Sequence, residues 1–197
     1  MTDCGAIDSN SRALIGPLFF DGLAVTSDVI NIEIRNEIPA DMSAIEAVTI
    51  SAFLSAPHAG HNEQFIVNAL RRDGQLLVSL VALAEGKVIG HVAVSPVSLS
   101  GGAPGWCGLG PLSVLPEYQR RGVGARLMRE ALRTLREKGA AGCVVLGEPA
   151  YYGRFGFAAD PALVFPGVPP EYFQALSFGS SRPRGVVSYH AAFYTTH

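Results

Sequence analysis

The sequence predicts an α/β domain in which helices cover a mixed β-sheet. Along the chain, patterns typical of strands and helices follow one another as strand, two helices, three strands, helix, strand, short helix and strands. The 197 residues are 48% hydrophobic and only 16% charged. This composition provides a sizeable core and excludes a disordered chain. The length fits one domain with an extension better than two domains.

Charge and cysteine content exclude several classes of protein. The formal charge of -2 gives no reason to expect a nucleic-acid partner. No apolar run approaches the ~18 residues of a membrane span, and the start of the chain lacks the basic segment of a secretory signal. Cys4, Cys107 and Cys143 are too few and too far apart for a disulfide framework or a zinc cluster. We therefore expect a cytoplasmic protein without a metal or a membrane partner.

Residues 1–28 are expected to form an N-terminal extension, and residues 29–197 the folded domain. The extension carries four aspartates and one arginine, with Gly, Ser and Asn between them. Its apolar residues 14–20 are expected to dock either on the domain or on a second copy of the chain. The sequence therefore leaves both a monomer and a homodimer open.

The domain begins with one strand and two helices. Polar and apolar side chains alternate over residues 31–35, the period of a half-buried strand. A first helix is expected to open at residues 39–42, and a second to cover residues 62–72. The apolar positions expected on the buried face of the second helix are Phe65, Ile66, Ala69 and Leu70.

Three strands follow. The apolar runs over residues 76–84 and 88–95 are joined by a short turn containing glycine, which predicts a hairpin. The third strand, residues 106–115, contains Gly108, Gly110 and Pro111. Glycine and proline inside a strand weaken the hydrogen-bonded ladder, so we expect a bulge or a break in this strand.

The most regular helix of the sequence begins near Gly122 and ends at Gly139. Apolar residues recur on one face at helical spacing, and arginines occupy the other face. Two pairs, Arg126–Glu130 and Arg133–Glu137, have the i,i+4 spacing of stabilising ion pairs. The apolar residues of this helix are Val123, Leu127, Met128, Ala131, Leu132 and Leu135.

The start of this helix predicts a phosphate-binding site. Residues 119–124 read Gln-Arg-Arg-Gly-Val-Gly between a strand and a helix N-terminus. Unpaired amides and the positive end of the helix dipole attract an anion, and the glycines allow it to approach the backbone. A P-loop is excluded because its Lys-Ser/Thr ending is absent, and a dinucleotide fingerprint fails at Leu127.

Two longer segments resemble the signatures of the GNAT N-acetyltransferase superfamily. Residues 110–124 resemble the bulged central strand followed by the Gln/Arg-x-x-Gly-x-Gly/Ala loop. Residues 149–157, Pro-Ala-Tyr-Tyr-Gly-Arg-Phe-Gly-Phe, resemble a later helix of the family in which a tyrosine precedes a Gly-Phe pair by four residues. The resemblance covers residues 32–157 and is closest to a branch of bacterial predicted acetyltransferases.

The resemblance implies a mostly antiparallel central sheet with a bulged, splayed central strand and flanking helices. It implies acetyl-CoA as co-substrate, with backbone groups of Leu112 and Val114 binding the acetyl carbonyl and the pantetheine arm. Tyr152 matches the tyrosine that protonates the departing thiolate. The cofactor-binding residues that the resemblance implies are Leu112, Ser113, Val114, Gln119, Arg120, Arg121, Gly122, Val123, Gly124 and Ala125.

The resemblance does not assign a general base. The family's acid on the central strand has no counterpart in residues 106–109. Glu148 is the first candidate because it follows a short strand and directly precedes Tyr152, and Glu63 and His91 are alternatives. A water chain to a more distant group would serve equally.

The remaining histidine and cysteine candidates are expected to have structural rather than chemical roles. His58 and His61 lack a third metal ligand at suitable spacing, so a loop role is favoured. Cys107 and Cys143 fall in apolar strands, where a buried thiol is inert.

The function implied by the resemblance is direct acetyl transfer from acetyl-CoA to an amine of a small molecule or peptide. A catalytically silent acyl-CoA-binding sensor is the alternative.

Overall fold

A computed structural model describes residues 31–54, 60, 62–180 and 183–194. The N-terminal extension predicted over residues 1–28 lies outside the described residues, as do His58 and His61. The bounds of the helices are α1 Met42–Phe53, α2 Glu63–Arg72, α3 Val123–Glu137 and α4 Pro149–Tyr152. The bounds of the strands are β1 Ile32–Asn36, β2 Val78–Ala84, β3 Lys87–Pro96, β4 Ser98–Leu99, β5 Trp106–Val114, β6 Gly142–Leu146, β7 Ala158–Ala159, β8 Leu163–Val164, β9 Phe173–Ser177 and β10 Gly185–Ser188.

Seven strands form the main sheet in the order β1-β2-β3-β5-β6-β9-β7. Every neighbouring pair in it is antiparallel except β5 and β6, which run parallel because α3 connects them. Strands β4, β10 and β8 form a second, three-stranded sheet. The mixed, mostly antiparallel sheet with flanking helices confirms the predicted fold class.

The two faces of the main sheet carry different helices. The apolar face of α3 packs on one face, where its buried side chains join those of β1, β2, β3, β5 and β6 in the largest core cluster. Helix α1 packs on the other face through Ile45 and Val48, against side chains such as Val81 and Ala93. Successive side chains of β2 and β3 therefore point alternately to α3 and to α1.

The predicted hairpin joins β2 and β3. Its two turn residues, Glu85 and Gly86, have φ angles of 51° and 75°. Two consecutive positive φ angles are typical of the tight turns whose twist matches that of paired strands. Among the helices of the described residues, none has the length and apolar character of a membrane span.

Two details differ from the sequence expectation. Phe65 is 36% exposed, whereas Val67 is buried, because the buried stripe of α2 centres on Ile66 and Leu70 and leaves Phe65 at its margin. Arg126 does not pair with Glu130, since its guanidinium donates instead to the carbonyl oxygen of Ile32 at 2.6 Å. Glu130 pairs with Arg133, which also forms the predicted pair with Glu137.

Candidate active site

The central strand β5 carries the predicted bulge. Two residues, Gly110 and Pro111, separate the paired positions Leu109 and Leu112, whereas only Ala93 separates their partners on β3. Gly110 has a φ of 148°, and Pro111 has no amide hydrogen to contribute to the ladder. The glycine and proline therefore interrupt the pairing at the middle of the sheet.

Beyond the bulge, β5 and β6 separate. Their parallel pairing ends at Leu109 and Val145. The amide of Leu115 donates to a carbonyl oxygen of β3 at 2.9 Å. Because successive amides point to opposite edges of a strand, those of Leu112 and Val114 point toward β6. These two amides therefore lie along the opening between the strands.

The loop after β5 has the backbone geometry of an anion site. Arg120 and Gly122 have φ angles of 59° and 83°, and α3 begins at Val123, whose buried side chain fixes the position of the helix end. The side-chain amide of Gln119 donates to the carbonyl oxygen of Val114 at 3.0 Å and ties the loop to β5. The first amides of α3 therefore point out of the loop, where a phosphate can accept from them.

The remaining loop residues surround this helix end. Arg121 is exposed, and its guanidinium carbon lies 5.9 Å from the ring centre of Tyr118. Gly124 and Ala125 are partly buried in the first turn of α3. A Cβ atom on Gly124 would lie 2.7 Å from the hydroxyl oxygen of Tyr151 and 3.7 Å from Val114 Cγ2. The structure thus brings the loop, the end of β5 and α4 together.

Tyr151 and Tyr152 of α4 pack differently. Their rings meet edge to face with centres 5.0 Å apart. The hydroxyl of Tyr151 lies over Gly124, whereas the ring of Tyr152 covers the backbone of Gly147 at the end of β6 and meets the ring of Phe157. Burial raises the pKa of Tyr152 well above that of a free phenol. Tyr152 is therefore a neutral hydroxyl beside the β6 edge of the opening.

Ser113 is the predicted cofactor-binding residue that the structure does not bring into the opening. Its fully buried hydroxyl lies 3.3 Å from that of Thr49 in α1. Ser113 points away from α3, because it alternates with Leu112 and Val114, which pack on the α3 side.

Tyr189 is a site residue that sequence reasoning missed. Its half-buried ring lies on Gly108 of β5, so close that a Cβ atom on Gly108 would lie 2.9 Å from Tyr189 Cδ1 and nearer still to Cε1. Burial raises the pKa of its phenol, and neighbouring Cys143 and Tyr152 raise it further. The sequence feature that could have indicated this contact is Gly108, because a glycine inside a strand often marks a close approach of another group.

His91, one of the predicted alternative bases, belongs to a buried network under α1 and α2. Ser79 Oγ donates to Glu37 Oε2 at 2.6 Å, and Arg71 holds both oxygens of that carboxylate at 2.8 Å. His91 Nε2 lies 2.8 Å from Ser79 Oγ. Since the hydroxyl proton goes to the carboxylate, the imidazole donates through Nε2 and keeps a free lone pair on Nδ1.

Burial is the largest single influence on the pKa of His91 and on that of Glu37. It lowers the pKa of His91 to about 4, and the Glu37 carboxylate offsets only part of that effect. Burial alone would raise the pKa of Glu37, but hydrogen bonds from Arg71 and Ser79 outweigh it and lower the pKa. His91 is therefore neutral near pH 7, beside an ionised carboxylate.

The two acidic candidates for the general base lie on different elements. Glu148 is the residue before α4, and its carbonyl oxygen accepts from the amides of Tyr151 and Tyr152 at 3.0 and 3.1 Å. Its backbone is thereby fixed near Tyr152, at the end of β6. Glu63 lies in the first turn of α2, where one carboxylate oxygen accepts from the amide of Gly60 at 2.8 Å.

Neither central cysteine has the environment of a nucleophile. Cys107 and Cys143 are register partners on β5 and β6, and both are free and buried. Burial raises the pKa of each thiol, so little thiolate exists near pH 7. No group of three potential metal ligands occurs among the side chains that the structure describes.

Comparison with known proteins identifies the family. The sequence profile described as "Acetyltransferase (GNAT) family" matches residues 43–157, more than half of the chain. The chain belongs to the GNAT acetyltransferase family. The match includes the bulged strand, the loop before α3 and α4, so the family and the acyltransferase class predicted from the sequence are confirmed.

Individual relatives show the same architecture. A GNAT acetyltransferase from Brucella melitensis, crystallised with acetyl-CoA, is 47% identical, and the match covers 83% of this chain and 98% of that one at a TM-score of 0.74. The match to the Escherichia coli N-acetyltransferase YhbS, crystallised with CoA, covers 87% of this chain and 97% of that one at a TM-score of 0.78. YhbS of Escherichia coli K12, described as uncharacterized, is 44% identical over 125 residues, which are 63% of this chain and 72% of that protein.

Proposed function

We propose that the protein transfers the acetyl group of acetyl-CoA directly to an amine of a small molecule or peptide. The observation that carries this proposal is the separation of β5 from β6 beyond Leu109 and Val145, directly beside the glycine-containing loop that starts α3. A thioester in the opening and a diphosphate on the loop would be bound by one continuous surface. The acetyl-CoA and CoA complexes of the two relatives support this choice of co-substrate.

The backbone of the opening and of the loop would hold the co-substrate. The amides of Leu112 and Val114, which point toward β6, are positioned to donate to the acetyl carbonyl and the pantetheine arm. At the loop, the helix N-terminus would bind the diphosphate, with the arginines adding positive charge. The residues proposed for this second role are Gln119, Arg120, Arg121, Gly122, Val123, Gly124 and Ala125.

The proposed reaction is a direct attack within a ternary complex. Glu148, directly or through water, takes a proton from the acceptor ammonium, and the free amine attacks the thioester carbonyl. The amide of Leu112 stabilises the oxyanion of the tetrahedral intermediate. Collapse of the intermediate breaks the C–S bond and forms the amide, whose nitrogen loses its second proton to water, while Tyr152 donates a proton to the departing thiolate and regains one from solvent. Burial keeps the phenol of Tyr152 protonated, the form that a proton donor needs, and its raised pKa also makes it a weaker acid than a free phenol.

We further propose a class of acceptor, a compartment and an oligomeric state. The segment 165–178 beside the site is largely apolar, which favours a small or partly apolar amine. We propose a cytoplasmic enzyme that acts as a monomer or homodimer through residues 29–197, without a metal or a nucleic-acid or membrane partner.

A catalytically silent acyl-CoA-binding sensor is the second candidate. The observation that favours it is the absence of an acidic residue from positions 106–109 of the central strand. A sensor would retain the opening and the loop but would not need a base.

One experiment separates the two functions. The purified full-length protein is incubated with acetyl-CoA and a panel of amines, amino acids, peptides and aminoglycosides, and release of free CoA thiol is measured. Acetyl transfer predicts CoA release that depends on at least one amine. A sensor predicts tight acetyl-CoA binding by calorimetry with no amine-dependent release.

A further inference from the structure

The opening between β5 and β6 is flanked by tyrosines on both faces of the sheet. Tyr152 packs with the core cluster on the α3 face, together with Cys107, Leu109 and Cys143. Tyr189 belongs to the cluster on the opposite face, together with Trp106 and Val144. The co-substrate proposed above would occupy the α3 face and the opening itself, so an acceptor has to reach the thioester from the face of Tyr189.

The position of Tyr189 depends on a glycine. Gly108 pairs with Val144, one position before the last pair of β5 and β6. The ring of Tyr189 fills the space that a side chain at Gly108 would occupy. Tyr189 therefore lies at the point where the two strands begin to separate.

The surroundings of Tyr189 hold its ring and desolvate its hydroxyl. The ring packs against Phe165 and Phe193, with centres 5.2 and 4.6 Å away. Burial raises the pKa of its phenol, and Cys143 and Tyr152 raise it further, so the hydroxyl is neutral near pH 7. A buried neutral phenol can donate one hydrogen bond and accept others, so it can orient an amine without exchanging a proton with it.

We propose that Tyr189 is an acceptor-binding residue, whose hydroxyl forms a hydrogen bond with the amine that attacks the thioester. This inference rests on the proposed acetyl transfer. It assigns the acceptor to the face of β5 opposite α3 and gives the two tyrosines separate roles: Tyr152 serves the departing thiol and Tyr189 the incoming amine.

The test uses the full-length protein and two probes. Hydroxylamine is small enough to reach the thioester whatever the natural acceptor, and 2-phenylethylamine carries an apolar body. For Tyr189→Phe, which keeps the ring, we expect kcat/KM for the amine to fall on the order of tenfold, the effect of one lost hydrogen bond to a polar substrate. The acetyl-CoA affinity, measured by calorimetry, is expected to stay within about threefold.

Two further variants separate a contact from a packing effect. Tyr194→Phe is the matched control, because Tyr194 lies in the same segment but is 63% exposed, and it is expected to leave kcat/KM unchanged. Gly108→Ala is expected to displace the Tyr189 ring and to lower kcat/KM as well. In the double variant Gly108→Ala/Tyr189→Phe the two losses are expected not to add, because both remove the same hydrogen bond.

The outcomes are distinct. Equal kcat/KM for the natural protein and Tyr189→Phe with both probes overturns the role of Tyr189 and leaves the proposed function standing. Fully additive losses in the double variant also overturn it, because Gly108→Ala would then act through the strand. Failure of the natural protein to release CoA with either probe and with every amine of the panel described above overturns the proposed function, and this inference with it.

Discussion

The hydroxyl oxygen of Tyr151 lies 2.7 Å from the point that a Cβ atom on Gly124 would occupy. Gly124 is in the first turn of α3 and Tyr151 is in α4, so the missing side chain lets the two helices meet at the loop. In the proposed complex, the same missing side chain leaves the helix N-terminus open to a diphosphate. Gly124 therefore has one structural reason to be glycine within the fold, and the proposed ligand would give a second.

Gly124→Val is expected to weaken acetyl-CoA binding at least tenfold, because its branched side chain would stand in the path of the diphosphate. Calorimetry measures the affinity, and circular dichroism checks that the fold survives. Gly124→Ala is the graded control: its single methyl displaces only the flexible end of Tyr151 and should cost less affinity. An unchanged affinity in the valine variant would place the cofactor site elsewhere.

Tyr152→Phe is expected to lower turnover about 10- to 1000-fold at saturating substrate, because the departing thiolate would lose its proton donor. The ring stays in place against Gly147, so acetyl-CoA affinity should change by no more than about threefold. Steady-state kinetics with an accepted amine measures both.

Tyr151→Phe is the neighbouring control for that prediction. The hydroxyl of Tyr151 lies over Gly124, in the loop proposed to bind the diphosphate. Loss of this hydroxyl is therefore expected to alter acetyl-CoA affinity rather than turnover. Similar losses of turnover in the two variants would indicate that both tyrosines only pack, and an undiminished rate in Tyr152→Phe would remove it from the mechanism.

Acidification from pH 7 to pH 5 is expected to destabilise the fold through His91. Its pKa is lowered from 6.5 to about 4 in the folded state, so the unfolded chain binds the proton more readily. Stability is therefore lost as the pH falls below 6.5, and the loss is complete near pH 4. By pH 5 it should amount to about 2 kcal/mol in the free energy of unfolding.

His91→Gln tests this assignment, because the amide can still donate to Ser79 but does not titrate. Urea unfolding of both proteins at pH 7 and pH 5 gives the comparison. Glu37 also loses stabilising charge on acidification, but below its ordinary pKa of 4.5 and so outside this window. A pH dependence as steep in the variant as in the natural protein would assign the effect to another group.

Deletion of residues 1–28 is expected to change one of two measured quantities. If the apolar residues 14–20 dock on their own domain, deletion lowers the melting temperature, and the mass measured by light scattering is that of a monomer before and after the deletion. If they dock on a second copy, a dimer becomes a monomer. A truncated protein with the same melting temperature and the same oligomeric state would show that the extension has no structural role.

Local signals in the sequence were sufficient for the central part of the fold. The regular apolar face of α3 and the turn at Gly86 predicted their elements, because periodicity and turn chemistry depend on neighbouring residues. The bulge at Gly110 and Pro111 was predictable for the same reason. The anion site proposed at Gly122 rests on a local signal as well, the backbone freedom of glycine at a helix start, and stays a prediction.

What the sequence did not reveal depends on distant residues. Glu37 directly follows β1, Ser79 is on β2 and His91 is on β3, and nothing in their spacing indicates that they form one network. Tyr189 reaches Gly108 from 81 positions further along the chain. The exposure of Phe65 depends on where the margin of the α2 packing face falls. Such relationships are set by tertiary packing, which no local pattern encodes.

The separation of β5 from β6 also bears on the lifetime of the protein in a cell. Amides along the inner edge of a sheet can pair with a foreign strand, and such pairing starts aggregation. A ligand bound along Leu112 and Val114 would cover that edge and stabilise the fold, by about 2.7 kcal/mol at a concentration 100 times its dissociation constant. The fraction of the protein that is folded would then depend on the concentration of acetyl-CoA.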